Sequence, residues 1–214
     1  MNTDTQIFIV EDDAELGQSL QLLFRSAGLV HSRHFSSAIE FLEAMPGLDE
    51  NLQRPGCLLL DIRLPAMTGT ELFTKLKQGH FMWPVIFMTG HGDLQMAVEL
   101  MHQGAMDYVT KPFDPMLLIA KIKKAGELCQ YRLANASFSE RHRAKLMLLS
   151  GHELQVFEKI LANMTNREIA EELKNSTRTI ETHRANILKK MSVDSALELA
   201  QQHERYKLIN LVHN

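Results

Sequence analysis

Four short segments of the sequence carry side chains suited to phosphoryl chemistry. Glu11 and Asp12 stand in the first and Asp61 in the second, while Thr89 and Lys111 stand in the other two. Carboxylates brought close together repel one another, and a hard divalent cation such as Mg²⁺, which prefers oxygen ligands, relieves that repulsion. A phosphoryl group on an Asp61 oxygen would then meet the cation, the Lys111 ammonium and the Thr89 hydroxyl. An aspartate can act as the nucleophile that forms such an acyl phosphate.

Each of these residues also has an ordinary structural interpretation. An acidic run such as the one that begins at Glu11 is, before a helix, typical of an N-cap with charges that favour the helix dipole. Asp61 could open a turn, Thr89 could begin a loop, and Lys111 precedes a proline that could form a turn. Taken singly, each residue favours that interpretation. A shared site is indicated because all four segments follow predicted β-strands.

The first half of the chain alternates short apolar strands with amphipathic helices. The predicted strands are Ile7–Val10, Val30–His34, Cys57–Leu60, Val85–Met88 and Asp107–Thr110, and the predicted helices are residues 16–27, Ser37–Met45, Glu71–Lys77, Leu94–His102 and a helix from Asp114. Five strand–helix pairs predict a doubly wound α/β domain with a five-stranded parallel sheet covered on both faces. Such sheets bind ligands at the carboxyl ends of their strands. Four of the five strands end at the segments with reactive side chains, so these side chains are expected to meet.

The strand signals stop near residue 126. Residues 126–147 are predicted as a helical linker, because the run 132–147 is polar, charged and without a convincing core face. After it only helical patterns follow, at Leu154–Leu161, Arg167–Leu173, Thr177–Met191 and Ser195–His203. The sequence therefore predicts a first domain of residues 1–125, the linker, and an all-α domain of residues 148–214.

The predicted helix Thr177–Met191 has two chemically different faces. Its apolar face comprises Ile180, Ile187, Leu188 and Met191, and its polar face comprises Arg178, Thr182, Ala185 and Lys189. A face of cationic, hydroxyl and small side chains suits a helix that lies in the major groove of DNA. A solvated helix of an ordinary bundle explains the same pattern, and periodicity alone does not choose between the two.

Composition limits the classes of function. The chain has 214 residues, of which 45% are hydrophobic and 23% charged, and this fits two modest folded domains. Residues 1–125 carry 10 Lys and Arg against 15 Asp and Glu, and residues 126–214 carry 13 against 11, so an acidic half precedes a mildly basic one. The apolar runs are too short for a membrane span, and residues 1–4 show no secretory signal. Cys57 and Cys129 are interpreted as reduced core residues, and a cytoplasmic location is expected.

Residues 5 to about 125 resemble the receiver domain of two-component response regulators. The resemblance rests on the runs IFIVEDD, LLLDIRLPAMTG, MTGHGD and YVTKPF. It implies a flavodoxin-like fold and a sensor histidine kinase that phosphorylates Asp61. It also implies a Mg²⁺ site formed by Glu11, Asp12, Asp61 and the backbone carbonyl of Arg63.

The same resemblance implies a switch. Thr89 and Tyr108 would form the switch pair, Lys111 would bind the phosphoryl group, and the bond between Lys111 and Pro112 would be cis. Phosphorylation adds a charge of about −1.5 to −2, towards which Thr89 would turn while Tyr108 rotates inward. The helix Leu94–His102 has more apolar positions than one core face needs, and the remainder is expected to be available to a partner subunit.

Residues 147–210 resemble the LuxR-type helix-turn-helix domain. The matching positions are Glu153, Asn166, Glu168, Ile169, Ala170, Thr179, Ile180, His183 and Ile187. The resemblance makes Thr177–Met191 the recognition helix. Its expected contacts are Glu181, Thr182 and Ala185 to base edges, and Arg178, Thr179, His183, Arg184 and Lys189 to phosphates. Glu181 could instead orient Arg184, and Asn163 stands where this family commonly has a glycine.

The whole chain therefore resembles the FixJ/NarL family of response regulators, and most closely its FixJ/TtrR branch. The resemblance implies a phosphorylation-controlled transcription regulator that binds promoter DNA as a homodimer when it is phosphorylated. The other expected partners are a sensor histidine kinase, which acts through a phosphorelay, and RNA polymerase. No membrane partner is expected. The chain is not expected to be an enzyme beyond the self-phosphorylation and autodephosphorylation of Asp61.

Three other functions fit parts of the sequence. An aspartyl-phosphate phosphohydrolase needs a second aspartate two positions after the nucleophile, where this chain has Arg63. A small-molecule-sensing regulator with a LuxR-type domain needs a different first domain. A receiver-like module that ignores phosphate and binds DNA constitutively stays open, although intact Asp61, Thr89 and Lys111 argue against it.

Overall fold

The computed structural model describes residues 5–79, 81–90 and 94–211. The features predicted at residues 1–4 and at 91–93, the end of the run MTGHGD, lie outside the described residues. The chain divides into two compact units between Leu133 and Ala134. Among the described helices, none is long and apolar enough to cross a membrane.

Five parallel strands form a single sheet in the order β2-β1-β3-β4-β5. The strands are β1 (Gln6–Val10), β2 (Ser32–Phe35), β3 (Gly56–Asp61), β4 (Val85–Thr89) and β5 (Asp107–Thr110). The helices of this part of the chain are α1 (Ala14–Ser26), α2 (Ala38–Ala44), α3 (Asp49–Leu52), α4 (Gly69–Gln78), α5 (Leu94–His102) and α6 (Pro115–Met147). The predicted α/β doubly wound class is confirmed. The prediction missed α3 and the 3-10 turn Met45–Gly47, and it placed β2 too early in the chain.

Helices pack on both faces of the sheet because successive side chains of each strand point to opposite faces. In β1, Phe8 and Val10 join an apolar cluster with residues of α2, α4 and α5, whereas Ile7 and Ile9 join a second cluster with residues of α1 and α6. All four side chains are buried. Both cysteines are free and buried, as predicted for core residues.

Helix α6 is continuous from Pro115 to Met147. The prediction that residues 132–147 lack a core face is wrong, because His142 is 2% exposed and packs against the rings of Phe138, His203 and Tyr206. A search for apolar periodicity misses this face, since it is made of polar and aromatic side chains. The proposed limits 1–125, 126–147 and 148–214 stay a prediction.

In its described residues the second unit contains helices and no strand, as predicted. After α6 these helices are α7 (Gly151–Leu161), α8 (Asn166–Glu172), α9 (Thr177–Met191) and α10 (Ala196–Leu211). Its core is built from one apolar face of each helix, with the side chains of Val156, Phe157, Ile160, Ile169, Ile180, Ile187, Met191 and Leu199. Helix α10 continues to Leu211 and not to His203, where the predicted pattern ended. Asn163 takes the left-handed conformation (φ 58°) that a glycine commonly supplies after a helix.

Candidate functional site

The register of the sheet brings the predicted site residues to one edge. Val10 of β1 lies opposite Leu60 of β3, so that Glu11 and Asp61, which follow them, are neighbours. Asp61 in turn lies opposite Met88 of β4. Because the strands are parallel, their carboxyl ends share this edge, as the sequence predicted.

Lys111 joins two of the acidic side chains. Its Nζ donates hydrogen bonds to Glu11 Oε2 at 2.6 Å and to Asp61 Oδ2 at 2.9 Å. Glu11 is 1% exposed and Asp61 is 7% exposed, whereas the Lys111 side chain retains 24% of its exposure. One ammonium group therefore holds two nearly buried carboxylates together at a place that solvent can still reach.

Glu11, Asp12 and Asp61 form an acidic cluster. One carboxylate oxygen of each lies within 4.8 Å of the others, and Asp12 is the exposed member. Three carboxylate oxygens at this spacing are a donor set suited to a hard divalent cation. The backbone N–H of Arg63 donates to Asp61 Oδ1 at 3.4 Å, which places this peptide beside the phosphoacceptor candidate.

The neighbouring residue Asp13 does have the ordinary structural role. Its Oδ1 accepts hydrogen bonds from the backbone N–H groups of Glu15 and Leu16, so Asp13 is the N-cap of α1. Glu11 points instead to Lys111. The acidic run therefore serves both interpretations, each with a different residue.

Burial and hydrogen bonding shift the pKa values in the pocket. Burial raises the pKa of Glu11, and the nearby Asp61 charge adds to this rise, while the hydrogen bond from Lys111 opposes it. Burial alone would lower the pKa of Lys111, but its hydrogen bonds to Glu11 and Asp61 outweigh burial and raise it. The pocket thus keeps a firmly charged cation beside a carboxylate that gives up its proton less readily than usual.

The two switch candidates lie on adjacent strands. Thr89 is fully buried, and its hydroxyl donates to the carbonyl oxygen of Gly90 at 2.8 Å. Tyr108 is half-buried and packs against the apolar cluster of α2, α4 and α5.

The peptide bond between Lys111 and Pro112 is cis, as the resemblance implied. Among the side chains of α5 that the structure describes, the large apolar ones that are exposed are Met96, Val98 and Met101.

Helix α9 presents most of its predicted DNA contacts to solvent. The exposed members are Arg178, Glu181, Thr182, Ala185 and Lys189, and the half-buried members are Thr179, His183 and Arg184. Arg184 donates to Asn166 Oδ1 of α8 at 3.0 Å, so Asn166, and not Glu181, is its hydrogen-bond partner. The Thr179 hydroxyl shares a hydrogen bond with the hydroxyl of Ser176, the N-cap residue of α9.

Comparison with known proteins assigns both units to families. Residues 7–123 match the response regulator receiver domain, and residues 147–202 match the bacterial regulatory proteins of the luxR family. The chain is 37% identical to the transcriptional regulatory protein FixJ of Bradyrhizobium diazoefficiens, over 98% of this chain and 100% of that protein. The chain belongs to the response regulator family. The predicted family and the predicted role as a transcriptional regulator with a receiver domain and a LuxR-type DNA-binding domain are confirmed.

Other response regulators are similar over most of their length. The response regulator protein TmoT of Ectopseudomonas mendocina is 38% identical, over 95% of this chain and 90% of that protein. The low-resolution structure of the response regulator StyR superposes with a TM-score of 0.83 at 33% identity, over 94% of this chain and 99% of that one. Full-length FixJ from B. japonicum gives a TM-score of 0.58 at 36% identity, over 95% of this chain and 98% of that one.

Three residues that shape the pocket of this response regulator were not predicted from the sequence. A Cβ at Gly69 would lie 2.0 Å from the carbonyl oxygen of Asp61, so only glycine fits this position. His34 Nε2 lies 2.7 Å from the carbonyl oxygen of Glu11, and Gly17 lies directly beneath the His34 ring. Gly69 was visible in the run LPAMTG, whereas no local signal connects Gly17 with His34.

Proposed function

We propose that Asp61 is the phosphoacceptor of this response regulator and that its phosphorylation controls DNA binding by α9. The observation that carries the proposal is the Lys111 ammonium, which hydrogen-bonds to both Glu11 and Asp61. A phosphoryl group on Asp61 would bring negative charge next to a cation that is already in place. Preorganised charge of this kind is the main assistance that proteins give to phosphoryl transfer.

In the proposed step, an Asp61 carboxylate oxygen attacks the phosphorus of the donor. A P–O bond to Asp61 forms while the bond from phosphorus to the donor breaks, and the electron pair of that bond leaves with the donor group. For a histidine kinase the leaving atom is an imidazole nitrogen, which takes up a proton. Lys111 exchanges part of its contact with the Asp61 carboxylate for the new phosphoryl oxygens.

Glu11, Asp12 and Asp61, together with the carbonyl of Arg63, are the proposed holders of Mg²⁺. When bound, this cation neutralises charge on the carboxylates and on the phosphoryl oxygens. The residues of the chain position the acceptor: Lys111 fixes the two buried carboxylates, and the Thr89 hydroxyl is within the same edge of the sheet. After transfer, the Thr89 hydroxyl would exchange its hydrogen bond to the Gly90 carbonyl for one to a phosphoryl oxygen. The Tyr108 side chain would then rotate inward.

The proposed output is promoter binding by a homodimer, with α9 as the recognition helix. We assign Glu181, Thr182 and Ala185 to base edges, and Arg178, Thr179, His183, Arg184 and Lys189 to phosphates. A single module with a small basic surplus contacts few phosphates, and paired half-sites supply the missing affinity. A sensor histidine kinase and RNA polymerase are the further proposed partners, and residues 126–147 are the proposed connection between residues 1–125 and 148–214.

The proposal is tested with Mg²⁺ and acetyl phosphate, comparing the wild type with Asp61→Asn and with Asp49→Asn, an exposed carboxylate on α3. The wild type and Asp49→Asn should gain a phosphoryl adduct by mass spectrometry, whereas Asp61→Asn should not. Promoter binding and molecular mass in solution should rise in the wild type and in Asp49→Asn, which carry the adduct, and not in Asp61→Asn. A wild type without an adduct contradicts the phosphoacceptor assignment. An adduct that leaves DNA affinity unchanged contradicts the coupling and favours constitutive DNA binding.

A further inference from the structure

Strand β2 holds the Glu11 peptide from two sides. The Glu11 N–H donates to the carbonyl oxygen of Phe35 at 3.1 Å, and the Glu11 carbonyl oxygen accepts a hydrogen bond from His34 Nε2 at 2.7 Å. The first bond continues the pairing of β1 with β2, but the second uses a side chain that the sheet does not require. The backbone of Glu11, which carries one of the carboxylates of the acidic cluster, is therefore held by the His34 side chain.

Gly17 makes this contact possible. A Cβ at this position would lie 2.5 Å from His34 Nε2 and 2.6 Å from Cε1, closer than real Cβ atoms approach other atoms. Gly17 is buried as the fourth residue of α1, where glycine is less favourable than alanine for the helix. The structure thus gives a reason for this glycine, which is the space that the imidazole ring occupies.

The two ends of Glu11 are held by different elements. His34 of β2 binds its backbone carbonyl, and Lys111, after β5, binds its carboxylate at 2.6 Å. After Glu11 the chain continues to Asp12 and then to Asp13, which is the N-cap of α1. A change in the direction of the Glu11 peptide would move Glu11 and Asp12, the two carboxylates of the acidic cluster that follow β1.

We propose that His34 is a positioning residue of the acidic cluster, and that Gly17 is required because it admits the His34 ring. The inference rests on the proposed function of that cluster as a Mg²⁺ and phosphoryl site. His34 contacts neither the cation nor the phosphoryl group; it acts by directing the Glu11 peptide. Groups that orient metal ligands in this indirect way commonly change metal affinity by about tenfold or more when they are removed.

The test compares His34→Ala, which removes the donor, with His34→Gln, whose amide nitrogen is as many bonds from the backbone as Nε2. Mg²⁺ affinity is measured by calorimetry on the full chain without phosphodonor, and urea unfolding of the metal-free protein is followed by the fluorescence of Trp83. His34→Ala should weaken Mg²⁺ binding about tenfold, and His34→Gln should stay within about threefold of the wild type. A merely structural role would lower the unfolding midpoint in both variants without this rescue of metal affinity.

A double-mutant cycle tests the part of Gly17. Gly17→Ala should weaken Mg²⁺ binding in the wild type, because its Cβ displaces the ring, but should change little in the His34→Ala background. Gly47→Ala is the matched control, since a Cβ there meets nothing within 4 Å. An equal effect of Gly17→Ala in both backgrounds contradicts the role assigned to this glycine.

The outcomes separate this inference from the function on which it rests. If the wild type binds Mg²⁺ and takes up a phosphoryl group, while His34→Ala binds Mg²⁺ as tightly, only the positioning role is overturned. Equal weakening by His34→Ala and His34→Gln overturns it as well. A wild type that neither binds Mg²⁺ nor becomes phosphorylated overturns the proposed function together with this inference.

Discussion

The two units bury titratable side chains in opposite ways. In the first unit, Glu11 and Asp61 are charged groups held by the opposite charge of Lys111 at the edge of the sheet. In the second unit, His142 and His203 share a hydrogen bond of 3.2 Å inside a cluster of aromatic rings. Burial lowers the pKa of both histidines, and that of His142 falls to about 4, so both are neutral near pH 7.

This difference matches what each unit is proposed to do. A pocket that must receive a phosphoryl group needs charges that can exchange partners, and it needs access from solvent. A scaffold that presents α9 to DNA needs a rigid interior, while its charges lie outside on residues such as Arg178 and Lys189. Changes that remove charge should therefore act strongly on the pocket, whereas changes that add charge should act strongly on the histidine cluster.

The largest effect is expected from Lys111→Met, which leaves two nearly buried carboxylates without their cation. Removal of one partner of a buried pair is strongly destabilising, and because Lys111 is partly exposed we expect a loss of roughly 2–3 kcal/mol. Urea unfolding of the metal-free protein, followed by Trp83 fluorescence, measures this loss in the first unit. Added Mg²⁺ should restore more stability to the variant than to the wild type, since the cation supplies the missing positive charge.

The matched control is Lys159→Met, which removes a cation paired with Glu172 on the surface of the second unit. Its loss should stay below about 1 kcal/mol, because exposed pairs contribute little. Since Trp83 reports on the first unit, circular dichroism follows this variant. Equal losses for the two variants would contradict the distinction between the pocket and the surface.

The next effect concerns the pH dependence of the second unit. The pKa of His142 lies at about 4, lowered first by burial and then by His203 and Lys145, whereas the unfolded chain takes up the proton near pH 6.5. Between these values the unfolded state binds more protons, so stability falls as the pH decreases, by up to about 1.4 kcal/mol per pH unit. His142→Phe, which keeps an aromatic ring in the cluster, should flatten this dependence.

Thermal unfolding followed by circular dichroism between pH 7 and pH 4.5 measures the effect. A weaker dependence should remain, because burial and Lys207 lower the pKa of His203 while Glu204 opposes this. His152→Gln, at an exposed position of α7, is the control and should keep the wild-type profile. If His142→Phe retains the full pH dependence, the histidine cluster is not its source.

The sequence predicted those parts of the site that depend on local patterns. The strand ends at Glu11, Asp61, Thr89 and Lys111 could be predicted because short apolar runs precede them and the topology of parallel sheets is restricted. The two faces of α9 could be predicted because helical spacing alone separates Ile180 and Ile187 from the exposed residues. In both cases the decisive information lies within a few residues of each position.

The remaining features depend on contacts between distant segments. Gly17 and His34 are 17 positions apart in the sequence, and only the packing of α1 against β2 brings them together. The core role of His142 escaped prediction because its partners His203 and Tyr206 lie on α10, whose polar surface also hid its true end at Leu211. Side chains that are polar in the sequence become core residues only when another polar or aromatic group satisfies them.

The smallest effect on stability, and the sharpest test of the exposed face, is expected from Arg178→Ala. Arg178 is exposed at the start of α9 and is proposed to contact phosphate, so its removal should weaken DNA binding similarly for different sequences. The slope of log affinity against log salt should fall in magnitude by about 1, while the free energy of unfolding stays within about 0.5 kcal/mol. Arg167→Ala removes the same charge from α8, where the side chain is 86% exposed and paired with Glu171. If both variants change the salt slope equally, the general positive charge of the unit, and not the face of α9, accounts for its binding to DNA.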